Sequence, residues 1–430
     1  MMTSMELPRL PSGDKLQDLH KAIFERFNAS WKEITPHELL DFISVKIEQA
    51  ITFDELADLL NSKKRVSVKL GIDPTGPDVH LGHLVPIMLL RQFQKAGHLI
   101  NLIIGDFTAT VGDPSGRNTQ RSVLTSMQVN ENKKTYLKQI GPYLDVKLAK
   151  IHLNSKWLSK LTAKRMLGDL QAISASDVLQ REDFRTRLEQ GLPLSMAELL
   201  YGYLQGTDSI ELQPDIEVGG RDQFLNLALG REMMRTRGIK PQINITTSVL
   251  EGTDGSGRKM SKSYNNYIAL TMSPQDIFGK IMSMPDSLLL QYYKAFADIK
   301  KTEVSHLESL IVLEPLEMKK QLGQFMVAIA TKKLKEGIAQ REAFEKKFSK
   351  KEFDVDMPTL SIASQTVLFE ALKEEQGVTG LSNTELRRLF DDGAVKIVSP
   401  HEKTLDIKDT VANGCVVRVG KKLFLKIEVE

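Results

Sequence analysis

Between residues 66 and 105 the chain alternates short apolar runs with turn residues in an order that admits few folds. Val66-Ser67-Val68-Lys69-Leu70 is a strand candidate ending at Gly71, and Leu84 to Ala96 has the length and composition of a helix stopped by Gly97. Leu99 to Ile104 is a second apolar run, ending at Gly105-Asp106. Strand, helix, strand at this spacing is a βαβ unit. Its strands are expected parallel and its crossover right-handed. In open parallel sheets ligands bind at the carboxyl ends of the strands, which here are Gly71-Ile72-Asp73 and Gly105-Asp106. The predicted fold class is α/β.

The remaining chain divides by composition. At roughly 150 residues per domain, 430 residues make room for about two to three domains. Residues 1–35 hold scattered turn formers and one short amphipathic stretch, Leu16 to Phe27, and are expected to form a loosely attached leader. Residues 36–62 are expected to form two helices, the second begun by Thr52 and Glu55 in a capping-box pattern. Residues 130–240 are expected to be mostly helical, Ile243 to Val249 a strand, and 274–350 helical again. Residues 359–430 make a compact module of two short helices and the strand-like runs Ala394–Val398, Cys415–Val419 and Phe424–Val429. The expected domains are 36–270, 271–355 and 359–430.

Lys and Arg number 58 against 55 Asp and Glu, a net charge of +3, which excludes a polybasic protein that holds nucleic acid by bulk charge. No apolar run approaches the roughly 18–20 residues that span a bilayer, and the first residues lack the pattern of a secretory signal. One cysteine, Cys415, excludes an internal disulfide or a multi-cysteine metal site and fits a reducing compartment, expected to be the cytoplasm.

Five segments carry candidate chemistry. Gly71 to His83 follows a strand and opens a helix. A helix N-terminus favours phosphate, Gly82 admits close approach, and His80 and His83 stand one turn apart. Metal binding would need further ligands at helical spacing, and none stands nearby. Gly252 to Ser263 combines three glycines with Lys259 and Lys262, a loop suited to closing on a polyphosphate. The other three are Gly112 to Arg117 with Arg121, the helical stripe Tyr201, Gln205 and Asp208 at i, i+4 and i+7, and Gly219 to Gln223. Taken singly, these three are a surface turn, a polar helix face and a weak glycine pair.

His-x-Gly-His early in a parallel α/β domain, followed about 180 residues on by Lys-Met-Ser-Lys-Ser, resembles the class I aminoacyl-tRNA synthetases. Gly71–His83, Gly105–Arg121, Tyr201–Asp208 and Gly219–Gln223 look like the bacterial-type tyrosyl-tRNA synthetase family. Ser382–Leu389, Gly393–Val395 and Gly420–Lys422 are similar to an S-four-type RNA-binding domain. The resemblance implies a Rossmann-like parallel-sheet catalytic domain, a helical middle domain on the tRNA-anticodon side, and a small α+β S-four-like domain.

The same resemblance implies the roles. His80, His83, Lys259, Lys262, Arg117 and Arg121 would be catalytic. Asp73, Thr75, Gly82, Gly220, Asp222, Met260, Ser261 and Ser263 would join the histidines and lysines around ATP. Gly71, Asp113, Tyr201, Gln205, Asp208 and Gln223 would bind tyrosine, and Arg387, Arg388, Lys421 and Lys422 RNA. ATP would arrive with magnesium, with no tightly bound protein metal, and tRNA(Tyr) would be the acceptor of a homodimeric enzyme. A synthetase-like paralogue with altered amino-acid specificity, a non-tRNA acceptor or a regulatory RNA-binding role is the alternative. Three positions depart from the family pattern: Lys69, Thr207 just before the substrate aspartate, and Arg221 between the glycine pair and Asp222.

Overall fold

The computed structural model of the chain describes residues 16, 18–62, 65–115, 124–348, 358–375, 380–399, 403–420 and 423–430. The chain forms two compact units, residues 1–340 and 341–430.

The first unit is built on a six-stranded sheet of order β1-β6-β5-β2-β3-β4. Its strands are β1 (Ile47–Ile51), β2 (Ser67–Ile72), β3 (Leu99–Ile104), β4 (Lys150–Leu153), β5 (Ile216–Gly220) and β6 (Ile243–Thr247). β2 through β6 run parallel, and β1 closes one edge antiparallel to β6. The predicted βαβ unit is present: β2 and β3 pair from Ser67↔Leu99 to Ile72↔Ile104, joined by the helix Leu81–Lys95. β2 runs two residues beyond the expected Leu70 because β3 continues to pair with it. Chain connections leave β2 toward β3 on one side while β5 flanks it on the other, which opens a crevice at the carboxyl ends.

Three strands of this sheet escape the sequence reading. β1 lies inside 36–62, between the helices Pro36–Ile43 and Phe53–Ser62, and β4 and β5 lie inside the stretch expected to be helical. They are short, and each is set by pairing with a strand distant in sequence rather than by its own pattern. The Thr52 cap is present: the Glu55 N–H donates to Thr52 Oγ1 at 3.1 Å.

The expected loose leader is corrected from Leu19 onward. The helix Leu19–Asn28 buries Leu19, Ile23 and Phe27, and Trp31 is buried just beyond it. Arg26 forks onto Glu303 at 2.7 and 2.6 Å, the His20 N–H donates to Gln321 Oε1 at 2.9 Å, and Lys95 stacks over the Trp31 ring. An amphipathic ten-residue helix has too little propensity to stand alone; these distant partners hold it. The helices from Pro274 to Thr331 fall in this same unit, where the sequence reading set them apart. Lys46, fully buried, donates to the carbonyls of Lys294, Ala295 and Ala297 at the end of the helix Leu289–Phe296.

The second unit holds a five-stranded sheet of order β7-β11-β10-β8-β9. Its strands are β7 (Thr359–Ile362), β8 (Val395–Ser399), β9 (Lys403–Thr404), β10 (Val416–Val419) and β11 (Leu423–Val429). β11 and β7 are parallel and the other pairs antiparallel. The helices Leu368–Glu374 and Asn383–Asp391 pack on it through Leu368, Leu372, Leu386 and Phe390.

Candidate active site

A cavity of about 290 Å³ opens at the carboxyl ends of β2, β3, β5 and β6. It collects residues from the tip of each strand: Asp73 after β2, Gly105 after β3, Gly220 at the end of β5, and Thr247 with Ser248 at the end of β6. The parallel sheet thus brings together segments up to about 190 residues apart in the chain.

One wall is the start of the helix Leu81–Lys95. His80 is its N-cap: the Gly82 N–H donates to His80 Nδ1 at 3.2 Å, and the His80 N–H donates to His83 Nδ1 at 3.4 Å. Both Nδ1 atoms are acceptors, so in each neutral ring the proton sits on Nε2. Burial, with His83 and Lys262 alongside, pushes the His80 imidazole down to about 2. It therefore works as a neutral hydrogen-bond donor. Gly82 suits this close approach, since a Cβ would lie 3.0 Å from the His80 ring and the ring would have to give way.

The loop after β6 supplies Lys259, Met260 and Ser261 to the cavity wall. Asn266 braces this loop, accepting from the Ser261 N–H at 2.8 Å and donating to the Lys259 carbonyl at 3.2 Å. Lys259 Nζ stands 3.7 Å from Asp222 Oδ2, and burial raises the Asp222 carboxyl. Lys262 and Ser263 lie outside the cavity wall. Lys262 Nζ instead approaches Gly76, with burial lowering its ammonium and Asp78 opposing that shift. Arg117 and Arg121 lie outside the described residues.

The deep end is polar and closed. Asp73 accepts from Thr108 Oγ1 at 2.7 Å and from the Tyr201 hydroxyl at 3.0 Å. Gly105 makes room for that pair, because a Cβ there would fall 2.0 Å from Asp73 Oδ1. Asp208 accepts from Trp157 Nε1 at 2.7 Å and Asn154 Nδ2 at 3.4 Å. Burial raises its carboxyl to about 7, against the opposing Lys69 charge. Asp113 accepts from the Ser115 N–H at 2.9 Å and from Gln223 Nε2 at 2.7 Å. Gln205, Gly71, Thr75 and Gly220 complete the lining among the predicted residues.

The sequence reading missed the supports. Asn154 bridges Thr108 and Asp208, and Arg181 donates to Asn226 at 2.7 Å and Ser115 at 3.2 Å behind Asp113. These residues stand in no local pattern, so no sequence signal marks them. Two departures from the family pattern do not line the cavity. The Thr207 hydroxyl is buried and donates to the Tyr203 carbonyl at 2.9 Å within its own helix. Arg221 pairs with Glu48 on β1, two-thirds exposed.

In this parallel α/β crevice, paired histidines at a helix start share the cavity with Lys259 of the loop after β6, an arrangement that fits the class I aminoacyl-tRNA synthetases. The chain belongs to that family: the description tRNA synthetases class I (W and Y) matches residues 61–349. It is 38% identical over 399 residues to the tyrosine–tRNA ligase of Thermotoga maritima, covering 92% of this chain and 98% of that one. It is 38% identical to the Aquifex aeolicus tyrosine–tRNA ligase, at 92% and 99% coverage. Among solved structures, the C-terminally truncated mitochondrial tyrosyl-tRNA synthetase of Aspergillus nidulans shares the fold with a TM-score of 0.60 at 22% identity, over 78% of this chain and 99% of that one. The Archaeoglobus fulgidus tyrosyl-tRNA synthetase complexed with L-tyrosine shares it with a TM-score of 0.57 at 22% identity, over 71% and 99%.

Proposed function

We propose that the chain is a tyrosine–tRNA ligase that activates L-tyrosine with ATP and passes the tyrosyl group to the 3′ end of tRNA(Tyr). One observation carries this reading: a single cavity is lined both by His80, His83 and Lys259 and by the Tyr201, Gln205 and Asp208 stripe. Groups suited to phosphate and groups suited to a phenolic hydroxyl thus share one space.

In the first step the tyrosine carboxylate attacks the α-phosphate. A carboxyl–phosphorus bond forms, the bridge to the β-phosphate breaks, and pyrophosphate leaves with the electron pair. No protein nucleophile is needed; positioning and charge stabilisation do the work. The Nε2–H groups of His80 and His83 donate to phosphate oxygens, and Lys259 and Lys262 bring positive charge from the loop, joined by Arg117 and Arg121. Asp222 and Gly220 face the ribose; Asp73, Thr75, Gly82, Met260, Ser261 and Ser263 surround the nucleotide. Asp208 accepts from the tyrosine hydroxyl. Gly71 leaves room beside the substrate, and Tyr201, Gln205, Asp113 and Gln223 receive its ammonium group. Magnesium enters with ATP; among the described residues no group of three or more His, Cys, Asp or Glu is arranged to hold a metal.

Residues 359–430 are proposed as an S-four-like RNA-binding module. Arg387 and Arg388 support this as exposed neighbours on the helix Asn383–Asp391; Lys421 and Lys422 lie outside the described residues. A cytoplasmic homodimer completes the reading. Leu167 and Met196, 60% and 70% exposed, offer apolar surface for a second copy, and no described helix is long and apolar enough to cross a membrane.

The test is pyrophosphate–ATP exchange with each of the twenty amino acids, followed by charging of total tRNA. Exchange is expected with tyrosine. Exchange with another amino acid and none with tyrosine would overturn the assignment.

A further inference from the structure

Beneath the cavity floor the sheet carries charge where a parallel sheet covered on both faces is ordinarily apolar. Lys69 on β2 and Glu217 on β5 are register partners. Their side chains are 1% and 2% exposed, with Nζ 2.9 Å from Oε1. Ser209 Oγ accepts from Lys69 Nζ at 2.7 Å and donates to Glu217 Oε2 at 3.0 Å, and Gln242 donates to that same oxygen. Gln205 Nε2 donates to Glu217 Oε1 at 3.1 Å.

A carboxylate only accepts hydrogen bonds. Gln205 must therefore turn its NH₂ group toward Glu217, which leaves its carbonyl oxygen for the cavity it lines. Gln223 differs: its Nε2 donates to Asp113 at 2.7 Å and its carbonyl oxygen accepts from Asn226 Nδ2 at 2.9 Å. A buried ion pair gains little over apolar residues of similar volume, so the Lys69–Glu217 pair calls for a role other than stability.

We propose that Lys69 and Glu217 are positioning residues for amino-acid selection: Glu217, held by Lys69 and Ser209, locks the Gln205 amide with its carbonyl oxygen toward the ammonium group of the substrate. This rests on the reading of the cavity as an amino-acid site. Lys69 also opposes the upward push of burial on Asp208, so one amine bears on both polar groups of the stripe.

The test uses the full chain in pyrophosphate exchange. Glu217→Gln keeps the shape but adds donors, so Gln205 is free to turn over. The tyrosine KM is expected to rise about tenfold or more while kcat and the ATP KM stay within about threefold, since only binding of the amino group is altered. A merely structural role would instead lower the active fraction, and with it kcat, at unchanged KM. Lys69→Met/Glu217→Met removes both charges without stranding either and is expected to show the same rise; Lys69→Arg, which keeps the charge, is expected to keep the wild-type KM. Wild-type tyrosine KM in both Glu217→Gln and the double variant would overturn the proposal. Wild-type chain that exchanges with a different amino acid would overturn the tyrosine assignment instead, and the same KM comparison would then be made with that amino acid.

Discussion

The imidazoles of His80 and His83 lie 3.8 Å apart, centroid to centroid, with 37° between their planes. Both Nδ1 atoms accept backbone N–H groups, so in each neutral ring the proton sits on Nε2, the donor that the proposed mechanism assigns to phosphate.

His83→Ala is expected to slow adenylate formation about 100-fold or more, the usual loss for one transition-state donor, with tyrosine KM nearly unchanged. His83→Gln places an amide nitrogen near the position of Nε2 and is expected to recover part of the rate. Single-turnover quench measurements check this; equal losses in both variants would show that the donor is not what the ring supplies.

Asp208 makes tyrosine binding pH-dependent. Its carboxyl stands near 7 in the free site, and a bound phenol that donates to it favours the carboxylate. Binding therefore releases a proton, and tyrosine KM is expected to rise as pH falls from 8 to 6. Asp208→Asn is expected to flatten that profile and weaken tyrosine about 10- to 150-fold, the range for a hydrogen bond to a charged group. The stability sign is separate. The folded value lies above that of the unfolded carboxyl, so between about 4 and 7 the unfolded chain has lost a proton the folded chain keeps. The contribution of Asp208 to stability thus declines as pH rises through that window.

Lys262 tests the loop. It does not line the cavity, yet its charge already bears on His80. Lys262→Ala is expected to slow adenylate formation by about two orders of magnitude and leave tyrosine affinity unchanged in equilibrium titration. A wild-type single-turnover rate would remove it from the mechanism.

Arg26 ties the N-terminal helix to the helices beyond residue 274. Its side chain is 2% exposed and that of Glu303 20%. Arg26→Met is expected to cost about 3 kcal/mol, the lower end for breaking a buried pair, because Glu303 stays partly solvated. Arg26→Met/Glu303→Leu is expected to recover most of that in urea unfolding. A loosely attached leader would show no loss in either variant.

Ending the chain after residue 357 is expected to spare tyrosine-dependent exchange and to impair tRNA charging. The chain carries only +3 overall, so tRNA must be held by local basic clusters, and charging is expected to weaken as salt rises. Equal loss of both steps would refute the modular reading.

Much of the site was legible because its parts are local. The βαβ unit and the histidine pair at a helix start depend on neighbours within about a dozen residues and lie where the ends of β2 and β3 predicted; of the two loop lysines, Lys259 lines the cavity and Lys262 does not. The Tyr201, Gln205 and Asp208 stripe also shares one helix, Tyr201–Leu212. Strands β1, β4 and β5 were missed because their edges carry little pattern and their partners lie far away.

The amino-acid sequence by itself determined which residues stand at the ends of β2 and β3, and with them the histidine pair at the start of the helix Leu81–Lys95. Tertiary structure alone decided that Thr207 and Arg221 do not line the cavity, that Asn154 and Trp157 meet on Asp208, and that Lys69 finds Glu217 beneath Gln205. The reason is physical: periodicity encodes which face of an element is buried, whereas burial of charge and the orientation of an amide depend on partners from separate strands and helices. Lys69 and Ser209 stand 140 residues apart in the chain, and only the closed sheet brings them within hydrogen-bond reach.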